Sequence, residues 1–308
     1  MWFQRITLLL LILTTATAAF LQNPDFESPP LNLPENSNSS SSTFVLLGQN
    51  STVPGWTYQG TVQQNYSKHP WQSYGHNLGT WGNDEPINLV LESQTTDSDT
   101  NSSCWPIIDT MLIKTVGVTL VPDNGNLLLN GGFESGPGFL PNSTEGVLLD
   151  SAPSVVQLAL RQWTVMGTVR YINFHVPEGK AAIEILSASG IQTAARQLSE
   201  RSRYNLTFTL GDANDGCEGD FLVGVEAGSS AQNFTVKSKA IGFSLVFEST
   251  DEPRTQIIFT SYSAAHTKDG VLCGPVVDEV ILHPLGGGSA SIKPAWLLVF
   301  ALFCIASL

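Results

Sequence analysis

The chain has 308 residues, 42% hydrophobic and only 13% charged, with 14 basic against 27 acidic side chains for a net charge of −13. This length and apolar content exclude a disordered chain and leave room for two domains. The acidic balance lacks any basic stripe and excludes nucleic acid as a partner; it also repels polyanions such as demethylated pectin, unless a cation or a local basic patch intervenes.

Residues 1–18 read as a secretory signal: Arg5 is the positive start, residues 6–13 form the apolar run, and Ala16-Thr17-Ala18 has the small-x-small spacing of a cleavage site. That run is too short to span a bilayer. Residues 19–123 and 124–285 then form a repeat. Leu21-Gln22-Asn23-Pro24-Asp25-Phe26-Glu27-Ser28 returns, with one residue of slippage at its start, as Leu129-Asn130-Gly131-Gly132-Phe133-Glu134-Ser135. Asp84-Glu85-Pro86 returns as Asp251-Glu252-Pro253. Cys104-Trp105-Pro106-Ile107-Ile108-Asp109 returns as Cys273-Gly274-Pro275-Val276-Val277-Asp278. Three matches in one order mark tandem domains. Trp56 and Asp84 are 28 positions apart, whereas their counterparts Trp163 and Asp251 are 88 apart. The first copy is therefore short by about 60 residues and is expected to be an incomplete domain, since a sandwich without its central strands exposes edges and inner faces.

Strands are expected throughout the second copy. Residues 204–210 alternate apolar and polar, and 221–225, 243–247 and 276–282 are short β-branched or aromatic runs between Gly, Asn, Asp and Pro clusters. A helical turn is expected over residues 191–200, with Gln192, Arg196 and Glu200 on one face. The fold class is all-β, tandem jelly-roll β-sandwiches with the first incomplete and eight to ten strands in the second. Seven Asn-x-Ser/Thr sites follow the signal, at Asn38, Asn50, Asn65, Asn101, Asn142, Asn205 and Asn233, and are candidate glycan acceptors. Residues 286–308 combine small residues, a short spacer and an apolar tail, the pattern of a lipid-anchor signal. Cys304 leaves with that tail, so Cys217 and Cys273 are the two cysteines of the complete copy and are expected to pair, while Cys104 lacks its partner.

Four motifs of the second copy carry a family resemblance: residues 128–137 (LLNGGFESGP), 176–184 (VPEGKAAIE), 210–219 (LGDANDGCEG) and 273–278 (CGPVVD). Together they are similar to the C-terminal domain of the plant family called domain of unknown function 642. The first copy matches only at its ends, where Trp105 replaces the glycine of Cys-Gly-Pro. The resemblance implies two tandem galactose-binding-like sandwiches behind a signal peptide, a cell-wall location, association with carbohydrate, and contact with wall enzymes such as pectin methylesterase. It supplies no catalytic residue.

The residues themselves also argue against an enzyme, because no His-Glu-x-x-His, Gly-x-Ser-x-Gly or phosphate-cradling glycine loop occurs. Asp212, Asp215, Glu218 and Asp220 cluster in a Gly- and Asn-rich loop; a glycan-active hydrolase would rest on Asp212 and Asp215. By analogy of fold, a structural calcium ion would take Glu134 and Asp278 as ligands, with Glu27 and Asp109 their equivalents in the first copy. The competing reading has these acids bonded to backbone amides. For sugar binding the candidates are Tyr171, Arg161 and Arg170, near Trp163 and Phe174, with Trp163 assigned to the core. The function expected is non-catalytic binding of wall polysaccharide, or of wall-modifying enzymes such as pectin methylesterase, at the cell wall or outer cell surface. The alternatives are the hydrolase and a lipid-anchored adhesion or receptor component.

Overall fold

The computed structural model describes residues 21–28, 31–32, 44–47, 52–58, 63–65, 71–79, 88–92, 106–115, 120, 125–140, 146–151, 159–196, 198–212, 217, 219–237, 239–250, 252, 254–268 and 270–285. The signal and tail segments lie outside them, as do Asn38, Asn50, Asp84, Asn101, Cys104, Asn142, Asp215 and Glu218.

Every regular element among the described residues is a strand. The N-terminal half contributes β1 (Phe44–Leu46), β2 (Gln63–Asn65) and β3 (Ser73–Tyr74). The second copy contributes β4 (Val147–Asp150), β5 (Thr164–Met166), β6 (Thr168–Ile172), β7 (Ala182–Ile185), β8 (Gly190–Arg196) and β9 (Arg203–Asp212). It continues with β10 (Phe221–Ala227), β11 (Ser230–Val236), β12 (Ile241–Glu248), β13 (Arg254–Ser261), β14 (Ala265–His266), β15 (Leu272–Cys273) and β16 (Pro275–Pro284). A five-stranded sheet, β11-β10-β13-β8-β5, faces a seven-stranded one, β12-β9-β16-β7-β6-β4-β3. Apart from β3, both sheets are built from the second copy, which therefore holds more strands than the eight to ten expected of it.

Alternation explains which face meets which. On β9, Tyr204, Leu206, Phe208 and Leu210 are buried while Asn205, Thr207 and Thr209 stay half-exposed. On β13, Thr255, Ile257, Phe259 and Ser261 point inward and Arg254 and Gln256 outward. Inner faces close on an aromatic core in which Trp163 packs on Phe133 at 5.1 Å and Phe208 meets Phe259 edge-on at 5.1 Å. Trp163 is fully buried, in keeping with its assignment to the core.

One expectation needs correction here. Residues 190–196 are strand β8, not a helical turn, because β13 and β5 pair with it on either side. Ile191 and Ala195 alternate into the core, so two neighbouring ladders override a spacing that a helix also fits. In the repeat, Asn23 corresponds to Asn130, as the aligned motifs have it. In each copy this asparagine and the phenylalanine three residues on have positive φ (49° and 52°, 58° and 54°), the asparagine side chain accepts the amide of Ser28 or Ser135, and its carbonyl accepts the indole N–H of Trp56 or Trp163. The Phe–Trp ring separations match as well, 5.2 Å and 5.1 Å.

What differs is the cover. Phe133 and Trp163 are fully buried, whereas Phe26 and Trp56 are half-exposed. Leu31, Trp71, Leu78, Val90, Leu91, Ile107, Ile108 and Leu112 in the same half are exposed. Among the described residues this half has β1 paired to β2, and β3 paired in parallel to β4 at the edge of the seven-stranded sheet. Lys114 Nζ also donates to the Gly136 carbonyl at 3.3 Å, a second tie to the complete copy.

Candidate functional site

On β16, Asp278 lies opposite Thr209 on the outer face of the seven-stranded sheet, just before a bulge at which the register shifts and Glu279 takes a φ of 51°. The bulge re-aims the strand so that the Asp278 carboxylate accepts the amides of Glu178 at 3.1 Å and Glu279 at 2.7 Å. Glu134 accepts the amides of Lys180 at 2.6 Å and Ala181 at 3.3 Å. The two acids thus pin residues 178–181, the stretch that leads into β7. Asp278 is fully buried. Burial pushes its carboxyl up to about 7, the two amides oppose the rise, and the charges of Glu279 and Glu134 add to it.

Glu134 and Asp278 are the acids that analogy of fold offered to a calcium ion, and both accept backbone amides, as the competing reading has it. Calcium takes some six to eight oxygen ligands, backbone carbonyls among them. No group of three or more metal-capable side chains gathers among the described residues. In the first copy, Glu27 and Asp109 are exposed, and Asp109 accepts the adjacent Thr110 amide. Glu134 and Asp278 are loop anchors.

The sugar-binding candidates are placed elsewhere than expected. Tyr171 is 2% exposed; its hydroxyl donates to the Phe133 carbonyl at 2.9 Å and its ring stacks on Phe139 at 4.9 Å. Burial and the Glu134 charge push its phenol up, so it remains a donor and is no platform for a sugar. Arg170 donates to Glu184 at 2.7 Å and to the Leu272 carbonyl at 3.2 Å, and Gly274 N–H donates to the other oxygen of Glu184 at 3.0 Å. That buried knot ties β6, β7, β15 and β16 together beside the disulfide between Cys217 and Cys273. Arg161 is half-buried and its carbonyl accepts the Asn130 amide. Phe174 packs against the small cluster of Ile172, Ala182 and Val276. Of the acids weighed for hydrolysis, Asp212 ends β9 opposite Pro275, half-buried, and Asp220 pairs with Lys237 at 3.7 Å on the surface.

An open aromatic surface exists on the other side of the sandwich, at a residue the sequence reading passed over. Tyr262 follows β13 and is 56% exposed. Its ring lies over Gly224 of β10, whose missing side chain makes the room: a Cβ there would meet the ring at 2.6 Å. Around it on the outer face of the five-stranded sheet stand Leu222, Glu226, Thr235 and Thr260, together with Asn233, which is directly opposite Gly224. The sequence signal was a lone glycine inside the apolar run of β10, a mark of close approach by something large. Of the acceptor asparagines, Asn233 is exposed on the edge strand β11, Asn205 is half-buried on β9 and Asn65 lies on β2.

The family described as "Protein of unknown function (DUF642)" matches residues 61–114 and 126–283. Among curated relatives from Arabidopsis thaliana, Protein DUF642 L-GALACTONO-1,4-LACTONE-RESPONSIVE GENE 1 is 33% identical over 242 residues, 73% of this chain and 62% of its own length. Its namesake GENE 2 is 30% identical over 233 residues, 72% and 62%. The chain thus spans a little under two thirds of these relatives. Among solved structures, TmCBM61 in complex with β-1,4-galactotriose is 14% identical with a TM-score of 0.32, covering 52% of this chain and 99% of that one. The CBM22-1 xylan-binding domain of Paenibacillus barcinonensis Xyn10C is 14% identical with a TM-score of 0.31, covering 56% and 100%. At those scores the likeness says nothing about a ligand.

Proposed function

Because this chain belongs to the DUF642 family, we propose that it is a secreted, non-catalytic protein of the plant cell wall that binds wall polysaccharide on the outer face of its five-stranded sheet. The observation that carries this reading is the Tyr262 ring, seated on Gly224 with much of its surface open to solvent and ringed by hydroxyl, amide and carboxylate groups. A sugar ring offers C–H groups to an aromatic face and hydroxyls to polar neighbours, and that surface presents both. The buried Asp278 and Glu184 are committed to amides and to Arg170.

Affinity electrophoresis of the secreted chain through gels containing wall polysaccharides tests the proposal. Tyr262→Ala is expected to weaken retention roughly tenfold, a loss of about 1.4 kcal/mol, while Tyr262→Phe keeps most of it. Both variants should unfold at nearly the parent temperature, since the ring is outside the core. Equal retention of the alanine variant on every polymer bound by the parent would move the ligand face elsewhere.

Asn233 sharpens the test. Its side chain lies on the same face and across from Gly224, so a glycan attached there borders the Tyr262 platform. Asn233→Gln is expected to raise affinity a few-fold, and enzymatic removal of N-glycans from the parent should do the same. Glycopeptide mass spectrometry of the secreted chain reports whether the site carries sugar.

A further inference from the structure

Arg254 of β13 and Arg196 of β8 stand directly opposite one another in the antiparallel ladder. Both are exposed, and the alternation that sends Thr255 and Ala195 into the core sends these two side chains to the outer face, the one that holds Tyr262. The ion pairs among the described residues are Arg170 with Glu184 and Lys237 with Asp220, so neither arginine is ion-paired to a described carboxylate. Like charges directly opposite in a ladder destabilise it. At this end of the sandwich the turn after β8 adds Arg201, whereas Arg203 begins β9 of the other sheet, opposite Glu248. Among the described residues the acids nearby are Glu226 on the same face, opposite Ile258, and Glu200, Glu248 and Glu252 in or beside the turns; Asp251, three positions before Arg254 in the chain, lies outside them.

We propose that the Arg196–Arg254 pair binds carboxylates of a uronate-bearing polysaccharide, so that the ligand of the Tyr262 face is an acidic polymer lying along β13. Two guanidinium forks side by side match a carboxylate in the plane of their N–H groups and relieve their mutual repulsion when it binds. Between the arginine pair and Tyr262, β13 presents Gln256, Ile258 and Thr260 outward. That track is roughly 27 Å long at about 3.4 Å per residue, enough for several sugar units. The net charge of −13 opposes a polyanion at long range; the pair supplies attraction at contact, where Coulomb energy is steepest.

This inference rests on the reading of the Tyr262 face as a glycan site, and the experiment separates the two. Affinities of the secreted chain are measured for polygalacturonate, for its fully methyl-esterified form and for a neutral galactan. The parent chain is expected to bind polygalacturonate at least tenfold more tightly than the ester. The double variant Arg196→Gln/Arg254→Gln should lose that preference and keep its affinity for the neutral polymer, and Arg196→Lys/Arg254→Lys should fall between. Binding to the neutral polymer without any preference for the charged one overturns this proposal alone, and it does so on the parent chain, without reliance on a variant that folds. So does an unchanged preference in the glutamine variant. No binding to any of the three, with Tyr262→Ala also without effect, overturns the glycan site and this proposal together.

Discussion

Replacing Glu184 by alanine is expected to destabilise the sandwich by about 3–5 kcal/mol, the cost of leaving a buried partner charge unmatched. Glu184 is fully buried and Arg170 nearly so, with side-chain exposures of 0% and 14%. Burial pushes the Glu184 carboxyl up, and Arg170 and the Gly274 amide pull against that rise. Deleting the carboxylate strands the guanidinium and frees the Gly274 amide at the junction of β15 and β16. The apolar pair Arg170→Met/Glu184→Leu removes both charges at once and is expected to recover most of the loss, because desolvating an ion pair offsets much of its attraction. Urea unfolding midpoints of the single and double variants decide it. Equal destabilisation of both would show that the Gly274 hydrogen bond, and not the stranded charge, dominates.

Stability is expected to fall as pH rises from 5 to 8, by about 3 kcal/mol from Asp278 alone. The sign follows from where the proton sits. Asp278 in the folded chain titrates at about 7 against 3.8 for the free side chain, so between those values the folded state holds a proton that the unfolded state has lost. Its contribution is complete below pH 4 and is gone once pH passes 7. The raised carboxyl of Glu184 acts in the same direction. Thermal unfolding of the parent chain should therefore shift down by several degrees between pH 5 and pH 8. Asp278→Asn should flatten that dependence, whatever it does to absolute stability, because it removes the titrating group while Glu134, Glu178 and Glu279 remain. A parent chain whose unfolding temperature is the same at both pH values would show that the two amide bonds hold Asp278 ionised.

Sequence periodicity by itself marked residues 204–210, 221–225, 243–247 and 276–282 as strands and, in the first of these, the side chains that turn inward. Tyr204, Leu206, Phe208 and Leu210 alternate into the core as the pattern of β9 demands, and Cys217 pairs with Cys273 as their isolation in the second copy required. The repeat was legible too, down to the Asn-x-x-Phe-Glu-Ser turn whose hydrogen bonds recur in both copies. Such signals are local: a period of two sets faces, and a left-handed asparagine sets a turn, without reference to anything distant. Tertiary structure decided which strands are neighbours and in what register, and the sites depend on that. Residues 190–196 became a strand because β13 and β5 flank them. Asp278 meets the Glu178 amide because a bulge in β16 turns it onto the segment before β7. Tyr171 left the surface because Phe133 supplies a carbonyl to its hydroxyl. Tyr262 found its seat on a glycine of β10, and Arg254 came to stand beside Arg196, through pairings between residues far apart in the chain. Each of these contacts costs loop-closure entropy that only the assembled core repays, so no local stretch of sequence encodes it alone.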